Sequence, residues 1–367
     1  MQIRVDRDTF VDALGPVQSV VEAKKTIPIL SHVLLEGGPN GLSLFGTDLD
    51  VGIQRRIQAE VFQPGAVALA AKKLYEIARE LPDAPIEIKT DTDLQVSISC
   101  QRSNFRMKGL PRDEFPSLPA ATGASEVVFE PALFRDILRK TLFAVSSDQT
   151  RYTLTGVLLQ VQPAEITMVA TDGHRLAFVK LPRPESTGTT TLEALIPRKA
   201  MGEAIKVARD EAGLLRLHLV ENQLVIEQDA TTLAARLIDG QFPNYDQVVP
   251  AANANRVQLS KDALHGALRR TSAIMGERAA PTEFDIQPGR VMISCVNMDL
   301  GEAHEEVEAA YTGEPMKVGF NARYILDFLA AMDTNDVTIQ ITDPLSPSVF
   351  RALGDEHYSC VIMPMRI

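Results

Sequence analysis

Thr171-Asp172-Gly173-His174-Arg175-Leu176 sets an acid two residues before a histidine, a spacing that suggests general acid–base work. A hydrolytic triad would also need an activated nucleophile, and no G-x-S-x-G turn or other activated Ser or Cys accompanies the pair. As a metal site the segment offers two ligands and no evident third. Phosphate-cradling patterns of the GxxxxGK[ST] or GxGxxG kind are absent, so nucleotide binding has no support. The three cysteines, Cys100, Cys295 and Cys360, are widely spaced in strand-like runs, which reads as buried free thiols in a reducing cytoplasm. The expectation is a turn that orders one histidine, in a chain without cofactor, metal or catalysis. A monomeric hydrolase using Asp172 and His174 is the alternative.

Basic residues offer a second kind of chemistry, the neutralisation of phosphate. The chain carries a net charge of −11, which repels nucleic acid on average. Its predicted helices break that average: the six together sum to +7, leaving −18 on the remainder. Arg135 and Arg139 stand at i, i+4 with Lys140 beside them, opposite the apolar stripe of Phe134, Ile137 and Leu138. Arg198, Lys199, Lys206 and Arg209 do the same on the next helix. Solvated polar faces would explain any one of these helices. For the set, a surface that attracts the DNA backbone without sequence preference is the better explanation. A sequence-specific DNA-binding regulator is a further alternative.

The elements that position these residues recur. Phe10, Phe134 and Leu264 each open an amphipathic helical pattern, 124 and 130 residues apart. Gly46-Thr47-Asp48, Ala170-Thr171-Asp172 and Val296-Asn297-Met298 each end an apolar strand-like run. Lys72-Lys73-Leu74, Arg198-Lys199-Ala200 and Ala322-Arg323-Tyr324 then open a second helix. That period is far longer than the roughly 20–50 residues of a solenoid unit, and 367 residues suit three domains of the usual size. Pro/Gly/Ala/Ser-rich stretches at 116–125 and 249–255 divide the chain after the related segments Phe115-Pro116 and Phe242-Pro243. The expected domains are 1–121, 125–251 and 254–367. Two helices among many strands, without βαβ alternation, predict an α+β fold with antiparallel sheets. With no Trp and few aromatics, the cores are expected to rest on Leu, Ile, Val and Ala. Gly15-Pro16 predicts a kink or early stop in the first helix. No run approaches the roughly 18 apolar residues of a membrane span, and no signal-peptide core is present.

The chain ends carry contrasting features. Arg102, Arg106 and Lys108 lie on a strand-like run of the first repeat, whereas Glu302-Ala303-His304-Glu305-Glu306-Val307-Glu308 is acidic and alternating. The acidic run is either a solvated edge strand or a charged pairing edge; the second case suggests head-to-tail association, which closes into a ring when the rotation permits. The terminal Val361-Ile362-Met363-Pro364-Met365-Arg366-Ile367 is apolar where termini are usually polar. It packs either into the core or as an adaptable wall for a partner peptide.

TDGHRL at 171–176, IPRK at 196–199, FPNY at 242–245, GFNARY at 319–324 and the terminal MPMRI together resemble the bacterial DNA polymerase III beta subunit, the sliding-clamp family. Pro28-Ile29-Leu30 and Gly46-Thr47-Asp48-Leu49 agree, and the likeness spans the chain. The resemblance implies three DNA-clamp domains forming half of a closed homodimeric ring, with sheets outside and helices inside. It implies a cytoplasmic, nucleoid-associated processivity factor that encircles duplex DNA. Lys24, Lys72, Gln149, Arg198 and Lys199, with the helix residues Arg135 and Arg139, would approach the DNA. A partner-peptide pocket would use Tyr152, Leu154, Thr171, Gly173, His174, Arg175, Leu176, Pro243, Val248, Asn321, Tyr324, Leu345, Ser346, Val361, Met363, Pro364, Met365 and Arg366, with His174 as a wall. Its implied partners are the polymerase alpha subunit, the clamp-loader delta subunit, translesion and repair polymerases, mismatch-repair proteins and ligase. Phe105 facing Ile274 and Met275, with Arg102 and Arg106 near Glu302 and Glu305, would form the dimer seam. The chain departs from the family at Thr153, at Gln247 and around Arg278-Ala279-Ala280, which bears on the pocket rim.

Overall fold

The computed structural model describes residues 1–21, 27–118, 126–250, 255–274 and 281–367. Most of both expected linkers, and with them Lys24, Met275 and Arg278–Ala280, lies outside the described residues. Six α-helices are described: α1 (Arg7–Ser19), α2 (Ala71–Glu80), α3 (Pro131–Arg139), α4 (Arg198–Val207), α5 (Lys261–Ser272) and α6 (Ala322–Ala331). Asp6 caps α1, accepting from the Thr9 amide at 2.9 Å and from its hydroxyl at 2.8 Å. Asn321 caps α6 through the Arg323 amide at 3.0 Å. Helices this short are marginal alone, and buried stripes hold them. Phe10, Ala13, Leu14 and Val17 on α1 repeat at the spacing of Leu264, Ala267, Leu268 and Thr271 on α5.

The expected early stop at Pro16 does not occur, because α1 runs on to Ser19. Proline has no N–H for the carbonyl four residues back. Arg55 supplies the missing donor, its Nη1 lying 3.0 Å from the Asp12 carbonyl, while its Nη2 bonds the Asp12 carboxylate at 2.7 Å.

The described residues form two compact units. The first comprises 1–135, 184–192 and 199–237. It holds a five-stranded sheet in the order Glu60–Gln63, Gln2–Val5, Ile86–Thr90, Gln95–Cys100, Ser103–Lys108. Its eight-stranded sheet runs Glu126–Phe129, Leu215–Val220, Gln223–Gln228, Thr231–Arg236, Val51–Ile57, Gly41–Thr47, His32–Gly38, Gly65–Ala70. That order joins the first and middle repeats, with Val51 opposite Ala235 and Arg55 opposite Thr231.

The second unit comprises 136–183, 193–198 and 238–367 and carries most of a twelve-stranded sheet. Within it the middle and third repeats join in the same way, Arg175 opposite Ile362 and Val179 opposite Tyr358. The third repeat departs from the expected aliphatic core. Phe284, Phe320, Phe350, Phe328 and Tyr358 are fully buried and stacked successively, mostly edge to face at 5.1–6.1 Å between centroids. All three cysteines are free and buried, and burial pushes the Cys360 thiol up to about 12.

Two strand edges at opposite ends of the sequence lack a full ladder among the described residues. Ser103–Lys108 closes the five-stranded sheet as its last strand. Gly301–Ala310 pairs along Gly301–Glu308 with Arg290–Asn297, but on its other side meets Asn255–Ser260 only at Ala309 and Ala310.

Candidate functional site

Thr171 ends one strand and Arg175 begins the next, with the turn between them closed by its own side chains. Thr171 Oγ1 donates to the Arg175 carbonyl at 2.6 Å and accepts from the Gly173 amide at 3.1 Å. Asp172 Oδ1 accepts from the His174 and Arg175 amides at 2.9 and 3.0 Å, an Asx-type turn. Thr47 and Asp48 make the same four bonds to Val51, Leu49, Asp50 and Val51, at 2.8–3.0 Å. Gly173 has φ +86° and its counterpart Leu49 φ +80°, so both turns need left-handed backbone. In the third repeat Asn297 closes the turn alone, accepting from the Asp299 and Leu300 amides.

These bonds remove the candidate dyad. The Asp172 carboxylate is occupied by the turn and by Arg175 Nε at 3.1 Å, while the exposed His174 ring has no side-chain partner among the described residues. No cluster of three or more His, Cys, Asp or Glu able to hold a metal occurs among them.

Arg175 is the centre of the region, with a side chain only 9% exposed. Its guanidinium bonds Asp172, Asp327 Oδ2 at 2.6 Å and the Phe143 carbonyl at 2.6 Å, and it lies 4.5 Å from the Tyr324 ring centroid. Two cavities share Arg175 and His174 as walls. One, of about 170 Å³, is lined by Leu154, Thr171, Gly173, Leu176, Pro243, Asn244, Tyr245, Val248, Val361 and Met363. The other, of about 610 Å³, is polar, with Ser146, Asp148, Arg151, Asp172, Arg198, Arg323, Tyr324 and Asp327 among its walls.

The smaller cavity collects most of the expected peptide-pocket residues. Its floor belongs to a cluster of Leu158, Val169, Leu176, Leu195, Ile238, Val349 and Val361. The tail is fixed beside it: the Met363 amide donates to the His174 carbonyl at 2.9 Å and the Met365 amide to Gly319 at 2.8 Å. Tyr152, Val248, Leu345 and Met363 are exposed apolar side chains of the same unit. Leu345 and Ser346 sit in a turn closed by Asp343 and do not line the cavity, nor do Asn321, Pro364, Met365 and Arg366. Asn244 and Tyr245 were not singled out from sequence, although both lie in the FPNY motif. Burial raises the Tyr245 hydroxyl above its ordinary range, as it does for Tyr324.

The helix cations are less available than their count suggests. Arg135 pairs with Asp210. Arg139 reaches Asp136 and Asp333 at 2.6 Å each, and Lys140 reaches Asp136 and Asp355 at 3.0 and 3.1 Å. Lys199 bonds the buried Asp48 at 2.6 Å, Lys206 bonds Glu203 at 2.8 Å and Arg209 bonds Asp12 at 2.7 Å. Lys72 and Arg198 are exposed and carry no ion pair among the described residues; Gln149 is exposed as well. At the expected seam, Phe105 is 38% exposed, and Arg102, Arg106 and Glu302 are exposed. Glu305 is already held within its own chain, accepting two bonds from Arg270 at 2.7 Å each, which keep its carboxyl below the usual range.

A scaffold of repeated antiparallel sheets, with the Asp172–His174 segment consumed in a turn beside an apolar pocket, fits the class of docking proteins. Three family models of the DNA polymerase III beta subunit match the chain in turn: the N-terminal domain over 1–119, the central domain over 129–244 and the C-terminal domain over 246–366. The chain therefore belongs to the DNA polymerase III beta subunit family. The beta sliding clamp of Caulobacter vibrioides is 35% identical, with all of both chains covered. Among solved structures, the Bartonella birtlesii sliding clamp bound to griselimycin is 32% identical with a TM-score of 0.94, and the C. crescentus clamp with bound polyethylene glycol is 35% identical with a TM-score of 0.92. Each alignment covers 100% of both chains. Three clamp domains make up the chain, which acts as a DNA sliding clamp for DNA polymerase III and carries no catalysis of its own.

Proposed function

We propose that two copies of this chain join head to tail into a ring that encircles duplex DNA and tethers polymerases by topology. The observation that carries this is the recurring junction. Val51 opposite Ala235 and Arg175 opposite Ile362 are the same ladder at matched positions. Continuing the repeat, Gly301 of one copy would oppose Met107 of the partner subunit, and Glu302 would oppose Arg106 of the partner subunit. Both strands have open edges, and their charges are opposite. Phe105 and Ile274 would supply apolar contact at this seam.

DNA contact is assigned first to Lys72 and Arg198, which carry no ion pair among the described residues, with Gln149 and Lys24. Arg135, Arg139 and Lys199 would contribute less than free cations, because an acidic neighbour already screens each of them. Phosphate contact of this kind confers no sequence preference, which disfavours the site-specific regulator. Domain limits of 1–121, 125–251 and 254–367 place each junction ladder between neighbouring repeats, and a reducing bacterial cytoplasm suits three free thiols.

The smaller cavity is assigned to short partner peptides with apolar anchors. The alpha and delta subunits, repair polymerases, mismatch-repair proteins and ligase are the proposed users. The griselimycin-bound relative supports a ligand-binding surface on this fold. The test of the ring is to load the protein on nicked circular DNA, remove free protein and linearise the circle. Release on linearisation is expected; retention would sink the ring, as would a monomer at micromolar concentration.

A further inference from the structure

The first inter-repeat junction carries a counterpart of the peptide pocket, and one leucine closes it. A cavity of about 90 Å³ lies where the strands Val51–Ile57 and Thr231–Arg236 meet, against about 170 Å³ at the second junction. Five of its walls have counterparts there: Thr47 stands for Thr171, Gly52 for Leu176, Pro116 for Pro243, Leu118 for Tyr245 and Ala234 for Val361. At the second junction Leu176 fills its own place in the floor, and Tyr245 is packed from the side. At the first, Gly52 has no side chain and the linker fills the gap. Leu118 Cδ1 lies 3.1 Å from where a Cβ on Gly52 would stand, and Leu118 packs with Phe115 on the Ile29, Leu30, Leu34, Phe45 cluster.

We propose that Leu118 is a built-in plug, and that the Gly52–Leu118 exchange confines peptide docking to the second junction. The two grooves share their turn, their ladder and their Phe-Pro segment. A Cβ at 52 would stand 3.1 Å from Leu118 Cδ1 and 3.1 Å from Phe45 Cε2, so Leu118 would have to shift to admit one, and an incoming apolar anchor would have to displace Leu118 further. The occupant of this groove is therefore the chain itself.

The proposal rests on peptide docking at the second junction, and the two can be separated by titrating the full chain with griselimycin and counting sites. The unmodified protein should bind one molecule per chain. Zero would defeat the docking assignment rather than the plug, and two would overturn the plug directly. Leu118→Ala should raise the count to two, the original site serving as the internal control for folding. In Leu118→Ala lacking Met363–Ile367, the added site should remain while the original is lost. A count that stays at one in Leu118→Ala, with the original affinity retained, would overturn the proposal. Leu118→Ser provides a second variant with the same expected gain.

Discussion

Replacing Arg175 with alanine should destabilise the chain more than any other single change near the pocket. The side chain is 9% exposed and links Asp172, Asp327 and the Phe143 carbonyl while covering the Tyr324 ring. Removing one partner of a buried ion pair costs about 3–5 kcal/mol, because the other charge is left uncompensated. The Asp327 side chain is 37% exposed and rehydrates in part, which places the pair near the lower end of that range. Loss of the ring contact adds about 0.5–1 kcal/mol. A total of about 3.5–4 kcal/mol corresponds to a fall in Tm of about 7–16 °C for a unit of this size. Arg175→Lys keeps the charge but not the planar fork, and should recover less than half of the loss. Calorimetry on both variants, with an Arg175→Ala/Asp327→Asn cycle, measures the coupling. A loss below about 1 kcal/mol with no coupling would refute the assignment of Arg175 as the linchpin of this region.

Asp12 is held below its ordinary carboxyl value chiefly by its bond from Arg209 and also by Arg55. Its contribution is therefore fully present above about pH 3.8 and lost as pH falls through the depressed folded value. Asp12→Asn should flatten this acid limb in urea titrations and, the group being half exposed, cost about 0.5–1 kcal/mol at pH 7. Leu49→Gly should stabilise by about 0.5–1 kcal/mol by relieving φ +80°, whereas Gly173→Ala should destabilise, since φ +86° disfavours a Cβ there; paired denaturant melts decide both. Glu302→Arg should weaken dimerisation about 30-fold, from about 1 kcal/mol at each of two seams, and Arg106→Glu in the same chain should restore it; sedentation by analytical ultracentrifugation without rescue would remove the proposed register.

The turns were the most legible part of the sequence, because a Thr-Asp pair followed by an αL position closes on itself through neighbours within four residues. Helices were legible from their apolar stripes, which recur at Phe10, Phe134 and Leu264, whereas the caps Asp6 and Asn321 were not read from the sequence. Residues of TDGHRL, FPNY and the terminal segment line the smaller cavity, and the packing of Tyr245 there was not legible. Side-chain partners far apart in sequence were not legible. Asp333 and Asp355 next to the α3 cations, Asp48 on Lys199 and Arg55 under Pro16 are set by how sheets bring distant segments together, which periodicity does not record. Counting charges helix by helix therefore overstated the free positive charge. The absence of a side chain at Gly52 is visible in the sequence, but what fills its place is not.

The ladders between repeats also set how concentration enters the assembly. Within one chain each junction forms between tethered strands, so its effective concentration is fixed by the linker and is insensitive to dilution. In the proposed ring the same ladder recurs at the two seams without a tether. Dilution then acts on the seams alone, and the place where the ring opens follows from chain connectivity rather than from a weaker kind of contact.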